Sequence, residues 1–100
     1  MMRGATPTHT FTIPVNISDI KKVKIIYSQN DEIVVQKLIN GSDITDENLK
    51  IRLTQEDTFK FNCNLPVEIQ MRILMEDGET LNSYIKKVGV SRCLDDEVLE

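Results

Sequence analysis

The chain has 100 residues, of which 40% are hydrophobic and 28% are charged. This length suits a single domain, and the apolar content is too high for a disordered chain. The formal net charge of −4 argues against a general nucleic-acid-binding protein, which needs a basic face to displace counterions.

The amino-terminal segment carries no apolar stretch behind Arg3 and does not look like a secretory signal. The apolar runs are only a few residues long, as at 33–35, whereas a membrane-spanning helix needs about 20 residues. We therefore expect a protein that is cytoplasmic when synthesised and has no membrane partner.

The two cysteines, Cys63 and Cys93, are expected to be reduced thiols in that compartment. Their spacing does not fit a zinc site, and no histidine lies near them in the sequence. Cys63 continues an alternation that includes Phe59 and Phe61, which predicts a buried, apolar role for this thiol.

Alternation of polar and apolar residues with period two dominates the chain and predicts strands with one buried face. It begins at 10–15 and continues at 22–27. The residues at 28–31 are typical of a turn, and 32–38 then returns as a strand. These segments together predict a β-hairpin with a polar tip.

The middle of the chain contains a predicted turn at 40–43 and a strictly alternating strand at 49–53. Between them, 44–48 is polar and fits either a short edge strand or a loop. No long amphipathic helix is predicted in this region, which argues against a parallel sheet of βαβ units.

The residues after this strand have two interpretations. Thr54 and Asp57 have the spacing of a helix capping box, so a helical turn would begin here and carry Phe59 and Phe61 into the core. The alternative is a short strand at 58–62. We favour the helical turn because Gln-Glu-Asp is a poor start for a strand.

The most regular strand is predicted at 67–75, where five apolar residues occupy alternate positions. An Asp-Gly turn at 76–79 joins it to a return strand at about 80–90.

That return strand changes face along its length. Leu81, Ser83 and Ile85 share one face, but the next apolar residue, Val88, falls on the other. Since a slip of one residue reverses every side chain, we predict a β-bulge near 86–87.

Roughly six or seven strands, separated by turn signals every 8–15 residues or so, predict a β-sandwich or a barrel. We divide the chain into an N-terminal arm at 1–7, a β-sandwich domain at 8–93 and an acidic C-terminal tail at 94–100 that is loose or weakly helical. The predicted core consists of Phe11, Ile13, Val23, Ile25, Val35, Ile51, Leu53, Phe61, Ile69, Met71, Ile73 and Val88.

No arrangement of residues points to catalysis. As a general base, the single histidine, His9, would need a nucleophile and an orienting partner within reach. The acidic pairs lie mostly at turns, and no glycine-rich phosphate loop is present. We predict no catalytic, cofactor-binding or metal-binding residues. A deep cleft with His9 beside two carboxylates would revive an enzymatic hypothesis.

Two other features could provide a binding surface. Tyr27 and Tyr84 could serve as exposed aromatic residues, although tyrosines buried with a polar tip are equally common. Strands at the edge of an open sandwich have unpaired backbone groups, which native proteins cover, charge or use for partners. The sequence does not say which strand is used.

Four blocks of the chain resemble small proteins encoded in prophages of Gram-positive bacteria: Arg3–Pro14, Lys21–Asn30, Leu53–Phe61 and Cys93–Leu99. The resemblance implies a gene among those for tail and baseplate proteins. It also implies a likeness in outline to the immunoglobulin-like N-terminal domains of baseplate or tail-fibre proteins, which attach a receptor-binding component to the tail. No functional residue is carried over by this resemblance.

We therefore expect an all-β, immunoglobulin-like antiparallel β-sandwich of about seven strands, with one short helical turn near 54–60. Its expected function is that of a non-enzymatic structural or assembly protein of a phage tail or baseplate, located in the virion. It would act through protein partners, by self-association into a homo-oligomer or by docking on a larger phage tail protein, without cofactors or nucleic acid. The alternative is a small intracellular phage-encoded regulator or inhibitor that binds a host protein.

Overall fold

The computed structural model describes residues 1–95 and 97–99, and this part of the chain forms seven strands, one short α-helix and two 3₁₀ turns. The strands are β1 (Thr8–Thr12), β2 (Ile20–Gln29), β3 (Glu32–Asn40), β4 (Asn48–Arg52), β5 (Val67–Met75), β6 (Thr80–Asn82) and β7 (Lys86–Val88). The helix α1 spans Gln55–Phe59, and the 3₁₀ turns span Ile17–Asp19 and Gly41–Asp43. No helix in the described residues is long and apolar enough to cross a membrane.

The strands form two antiparallel sheets. The larger sheet has the order β3-β2-β5-β6, with β7 pairing β5 beyond the end of β6. The smaller sheet consists of β1 and β4. The predicted all-β antiparallel sandwich is confirmed, as a small β-sandwich-like fold in which the smaller sheet covers part of one face of the larger one.

The centre of the core lies where β2 and β5 run side by side. Alternate residues of the two strands lie directly opposite each other and are buried, in the pairs Val23–Ile73, Ile25–Met71 and Tyr27–Ile69. This arrangement follows from the period of two, because it places every second side chain of both strands on the same face.

The predicted core is confirmed residue by residue. Ten of its members are buried, and Phe11 and Val88 are partly buried and pack against them. The core also contains Ile20, Tyr27, Ile44 and Val67, which the predicted list omits. Ile44 lies in the loop between the second 3₁₀ turn and β4, so the loop interpretation is correct for 44–47, and Asn48 begins β4.

The hairpin of β2 and β3 turns at Asn30 and Asp31, which have φ angles of 52° and 65°. Two residues with positive φ produce the turn whose twist matches that of paired strands. Ser28 and Gln29, predicted to be part of the turn, belong to β2. The hairpin is therefore tighter than predicted.

The capping box predicted at the start of α1 is present. Thr54 accepts a hydrogen bond from the backbone N–H of Asp57, and the carboxylate of Asp57 accepts one from the N–H of Thr54. Phe61 is buried, as predicted, whereas Phe59 is only partly buried. Cys63 follows in a loop and is half-buried, so its predicted burial as part of an alternating strand is wrong.

Asp57 also forms an ion pair that ties α1 to β3. The ammonium group of Lys37 lies 2.7 Å from the Asp57 carboxylate. Burial opposes the charged form of this carboxyl, but its hydrogen bonds with Lys37 and Thr54 and the charge of Lys37 prevail, and they lower the pKa of Asp57 below its usual value.

The arm at 1–7 is hydrogen-bonded to the residues that follow β7. The N–H of Arg3 donates to the carbonyl of Ser91, and the N–H of Ser91 donates to the carbonyl of Met1. The hydroxyl of buried Thr58 donates to the carbonyl of Ala5. These bonds hold the arm against both α1 and the residues after β7.

The predicted tail at 94–100 is described except for Asp96 and Glu100, which lie outside the described residues. Its described residues form no helix, so the weakly helical alternative is not observed there. The backbone of Leu99 exchanges two hydrogen bonds of 2.8 Å with the side-chain amide of Gln55. The tail thus contacts the start of α1.

Candidate protein-binding groove

The return strand predicted at 80–90 is interrupted between β6 and β7. Asn82 lies opposite Arg72 in β5, but Lys86 lies opposite Ile69. The return strand therefore contains one more residue than β5 over this stretch, which defines a β-bulge. The bulge is present as predicted, although it precedes β7 instead of lying within it.

Ser83 stabilises the chain where the bulge begins. The N–H of Ser83 donates to the carbonyl of Met71 at 2.8 Å, and the N–H of Met71 donates to the hydroxyl of Ser83 at 2.9 Å. The side-chain amide of Gln70 donates to the Ser83 carbonyl at 3.0 Å. A hydroxyl thus replaces a strand carbonyl as the acceptor, and two residues, Tyr84 and Ile85, remain opposite Gln70.

The bulge turns both of these residues outward. Tyr84 is 99% exposed and Ile85 is 54% exposed. The prediction that Ile85 shares a face with Leu81 is wrong, because the extra residue reverses the direction of the side chains that follow. The two tyrosines also differ: Tyr27 is fully buried, and Tyr84 is the one at the surface.

A groove of about 430 Å³ lies between β1 and the bulged return strand. Residues from both sheets line it, including Thr10, Phe11, Ile69, Met71, Tyr84 and Lys86. Ile69 and Met71 belong to the inner face of the larger sheet. The groove therefore runs beside the edge of the smaller sheet and borders the inner face of the larger one.

His9 and Tyr27 join the two sheets beside this groove. The Nδ1 atom of His9, on β1, lies 2.8 Å from the Tyr27 hydroxyl, on β2, and the ring centroids are 5.6 Å apart. Tyr27 also packs against Phe61 with a centroid distance of 6.1 Å. The buried tyrosine thus has a polar partner for its hydroxyl, as such residues usually do.

Both members of this pair are uncharged at neutral pH. Burial lowers the pKa of His9, and the positive charges of the amino terminus and Lys86 lower it further. Burial and the charge of Asp57 raise the pKa of Tyr27. Lys86 contributes a positive charge to the groove, and none of the described lining residues is an aspartate or glutamate.

The strand β1 presents a free edge to this groove. The N–H of Ile13 donates to Glu47 and the carbonyl of Pro7 accepts from Leu53, so the odd-numbered residues of the strand direct their backbone groups towards β4. The backbone groups of the even-numbered residues point the other way. These residues are Thr8, Thr10 and Thr12, all of which line the groove, and their backbone groups have no partner among the described residues.

The surroundings of His9 differ from those that an enzymatic hypothesis would need. Its partner is the hydroxyl of Tyr27 and its charged neighbour is Lys86, whereas two carboxylates were the condition. Ser83 lines the same groove, but its hydroxyl is engaged with the backbone of Met71 and Tyr84. Within residues 1–95 and 97–99, no group of three His, Cys, Asp or Glu side chains is placed to hold a metal ion.

The sequence contained a signal for only part of this site. The change of face after Ser83 indicated the bulge and therefore the exposed residues next to it. Nothing in the local pattern indicated that β1 would pair with β4 on one side only, because that pairing joins segments about 40 residues apart. The buried amide of Gln29, which holds the loop before β5 through Asn62 and Leu65, was also missed.

No protein-family model matches the chain, and neither a curated protein nor a solved structure is significantly similar to it.

Proposed function

We propose that this protein is a non-enzymatic assembly module that binds an extended segment of another protein chain along the free edge of β1. The observation that carries this proposal is a row of backbone groups at Thr8, Thr10 and Thr12 that find no partner in residues 1–95 and 97–99, beside a groove of about 430 Å³. Native proteins cover or charge such edges unless a partner strand uses them.

The groove has the features needed for an added strand. A segment lying about 4.8 Å from β1 would pair with the backbone of the three threonines and extend the smaller sheet. Its alternate side chains would then lie on the same face as His9 and Phe11, over Ile69 and Met71 of the larger sheet. Backbone bonds would supply affinity, and the apolar floor would select side chains.

Two residues at the rim would add specificity. Tyr84 is fully exposed, and tyrosines at binding surfaces contribute large contact areas at a small cost in conformational entropy. Lys86 lies opposite Ile69, on the inner side of its strand. An inward-pointing lysine protects the edge of β7 itself from strand addition and favours a segment that carries a carboxylate.

The proposed setting is the tail or baseplate region of a phage or prophage, on the grounds of the sequence resemblance. The segment would belong to a larger tail protein or to a second copy of this chain, which would form a homo-oligomer. Closed cyclic symmetry suits a position on a tail. The chain would then be made in the cytoplasm and become part of the virion.

The test is mass spectrometry of density-purified particles after induction of the source strain. The wild-type chain is expected at a stoichiometric level beside the tail proteins. The variant Thr10→Pro removes one N–H from the free edge of β1, where proline is tolerated, and should be lost from particles. Lys50→Pro is the matched control, because Lys50 lies opposite Thr10 and directs its N–H to the other edge of the same sheet.

A chain that is abundant in the cleared lysate but missing from particles would contradict the tail function and favour the regulator that binds a host protein. Equal incorporation of Thr10→Pro and Lys50→Pro would contradict strand addition at β1. Circular dichroism and urea unfolding of both variants establish that each is folded before incorporation is compared.

A further inference from the structure

The outer face of the larger sheet carries three positively charged residues in neighbouring positions, which we call the basic row: Lys22, Lys24 and Arg72. Lys24 lies directly opposite Arg72 across β2 and β5. Their neighbours Val23 and Ile73 point into the core. Since successive side chains alternate, the basic row points away from the smaller sheet and from the groove.

No ion pair among the described residues accounts for this arrangement. The structure pairs no carboxylate of the described residues with Lys22, Lys24 or Arg72, and the one interaction recorded for them there is from Nε of Arg72 to the side-chain oxygen of Asn82, at 3.0 Å. Like charges directly opposite each other on adjacent strands are destabilising. The facing pair of Lys24 and Arg72 is therefore a charge arrangement that strand pairing by itself does not favour.

Apolar side chains lie next to the charges. Leu38 faces Lys24 from β3 and is 63% exposed, and Leu74 lies opposite Lys22 on β5. Together with the basic row they line a shallow cavity of about 200 Å³. The surface thus combines positive charge with exposed hydrocarbon in a small area.

We propose that the basic row binds an extended acidic segment of a partner protein, in which carboxylates occupy alternate positions. Lys22 and Lys24 are two residues apart on one strand, a separation of about 6.6 Å. Alternate side chains of an extended segment have the same spacing, so two of its carboxylates can face the two lysines. The methylene groups of those acidic side chains would contact Leu38 and Leu74, which flank the two lysines.

Charge distribution favours such a short segment over a polyanionic surface. The chain carries a net charge of −4, and the acidic turn at 76–79 directly follows β5, the strand that holds Arg72. A nucleic acid or an anionic membrane extends beyond the basic row and would be repelled by these carboxylates. This surface is distinct from the β1 groove, and the inference does not depend on the function proposed for that groove.

The test is fluorescence anisotropy with a labelled synthetic peptide in which glutamate alternates with leucine, at low ionic strength. We expect saturable binding that weakens as salt is added. Lys24→Glu should raise Kd by about tenfold or more, which corresponds to about 1.4 kcal/mol. Lys50→Glu is the matched control, because it makes the same charge change on an exposed residue of the smaller sheet and should leave Kd unchanged.

Three results would overturn the proposal. The first is the absence of saturable binding by the wild-type protein. The second is an equal loss of affinity in Lys24→Glu and Lys50→Glu, which would show that only the overall charge matters. The third is binding to duplex DNA or to phosphatidylserine vesicles that Lys24→Glu abolishes, without binding to the peptide. Failure of strand addition at β1 would change none of these readouts.

Discussion

The larger sheet has a returning strand on each side of the central pair β2 and β5, and the two sides differ in the regularity of strand pairing. On one side, β2 and β3 pair continuously from Lys22 to Gln29, with a single register shift next to the turn. On the other side, β6 and β7 have three residues each and are separated by a bulge. Each side begins with a short turn, at Asn30 and Asp31 on the first and around Gly78 on the second.

The difference lies in what the returning strand does after its turn. The regular side buries Val35 and completes the core, whereas the interrupted side exposes Tyr84 and Ile85 and borders the open groove. Bulges often occur at sheet edges, where they redirect side chains or end strand pairing. The comparison indicates that the regular side contributes buried residues to the core and that the interrupted side leaves side chains exposed beside the groove.

The largest expected contrast is between two isoleucines. Ile25 is fully buried between β3 and β5, and Ile25→Ala should lower the free energy of unfolding by about 2–5 kcal/mol, since it removes buried methyl groups and leaves a cavity. Ile85→Ala, on the bulge, should change it by less than about 0.5 kcal/mol. Urea unfolding of both variants measures this contrast. A large loss in Ile85→Ala would show that the bulge belongs to the core.

A smaller effect is expected where the bulge begins. Ser83→Ala removes the hydroxyl that accepts from the N–H of Met71 and leaves that donor without a partner. The free energy of unfolding should fall by about 1–3 kcal/mol, and the Met71 amide should exchange its hydrogen faster. Ser42→Ala, at an exposed position, is the control and should leave both quantities unchanged. Unaltered exchange at Met71 in Ser83→Ala would argue against this role of the hydroxyl.

At the two hairpin turns, removing a glycine and introducing one should change the stability of the protein in opposite directions. Gly78 has a φ of 89°, so Gly78→Ala should cost about 1 kcal/mol. Asp31 has a φ of 65° without being glycine, so Asp31→Gly should stabilise the protein by about 0.5 kcal/mol. Thermal unfolding distinguishes the two. A destabilised Asp31→Gly would mean that the aspartate stabilises the turn in another way.

The smallest expected effect is a pH dependence. Because the pKa of His9 is lowered from its usual value of 6.5, the unfolded state binds more protons once the pH falls below that value. The free energy of unfolding should therefore decrease as the pH drops from about 6.5, and it should not change through His9 above that range. Urea unfolding at about pH 7.5 and about pH 5.5 measures this slope.

The variant His9→Gln should flatten this slope, because it has no titrating ring. The contribution of Asp57 is separated from it by pH, since a lowered carboxyl pKa gives stability that is lost only as the pH falls below the usual value of 3.8. An unchanged slope in His9→Gln would show that another group is responsible.

The regular elements of this fold could be predicted from the sequence because their signals are local. The alternation at 67–75 predicted the buried face of β5, and the spacing of Thr54 and Asp57 predicted the cap of α1. The tip of the first hairpin followed from Asn30 and Asp31, whose residue types tolerate positive φ. In each case the deciding interactions join residues close together in the chain.

The surfaces that carry the proposed functions were decided only by the tertiary structure. The partner of β1, the contact of His9 with Tyr27 and the alignment of Lys24 with Arg72 all depend on which strands become neighbours. Strand order is set by the packing of distant segments around a common core, and a period of two is compatible with many such orders. The sequence by itself therefore determined which face of each regular strand is buried, whereas the packing decided which backbone edge borders the groove and which charges lie side by side.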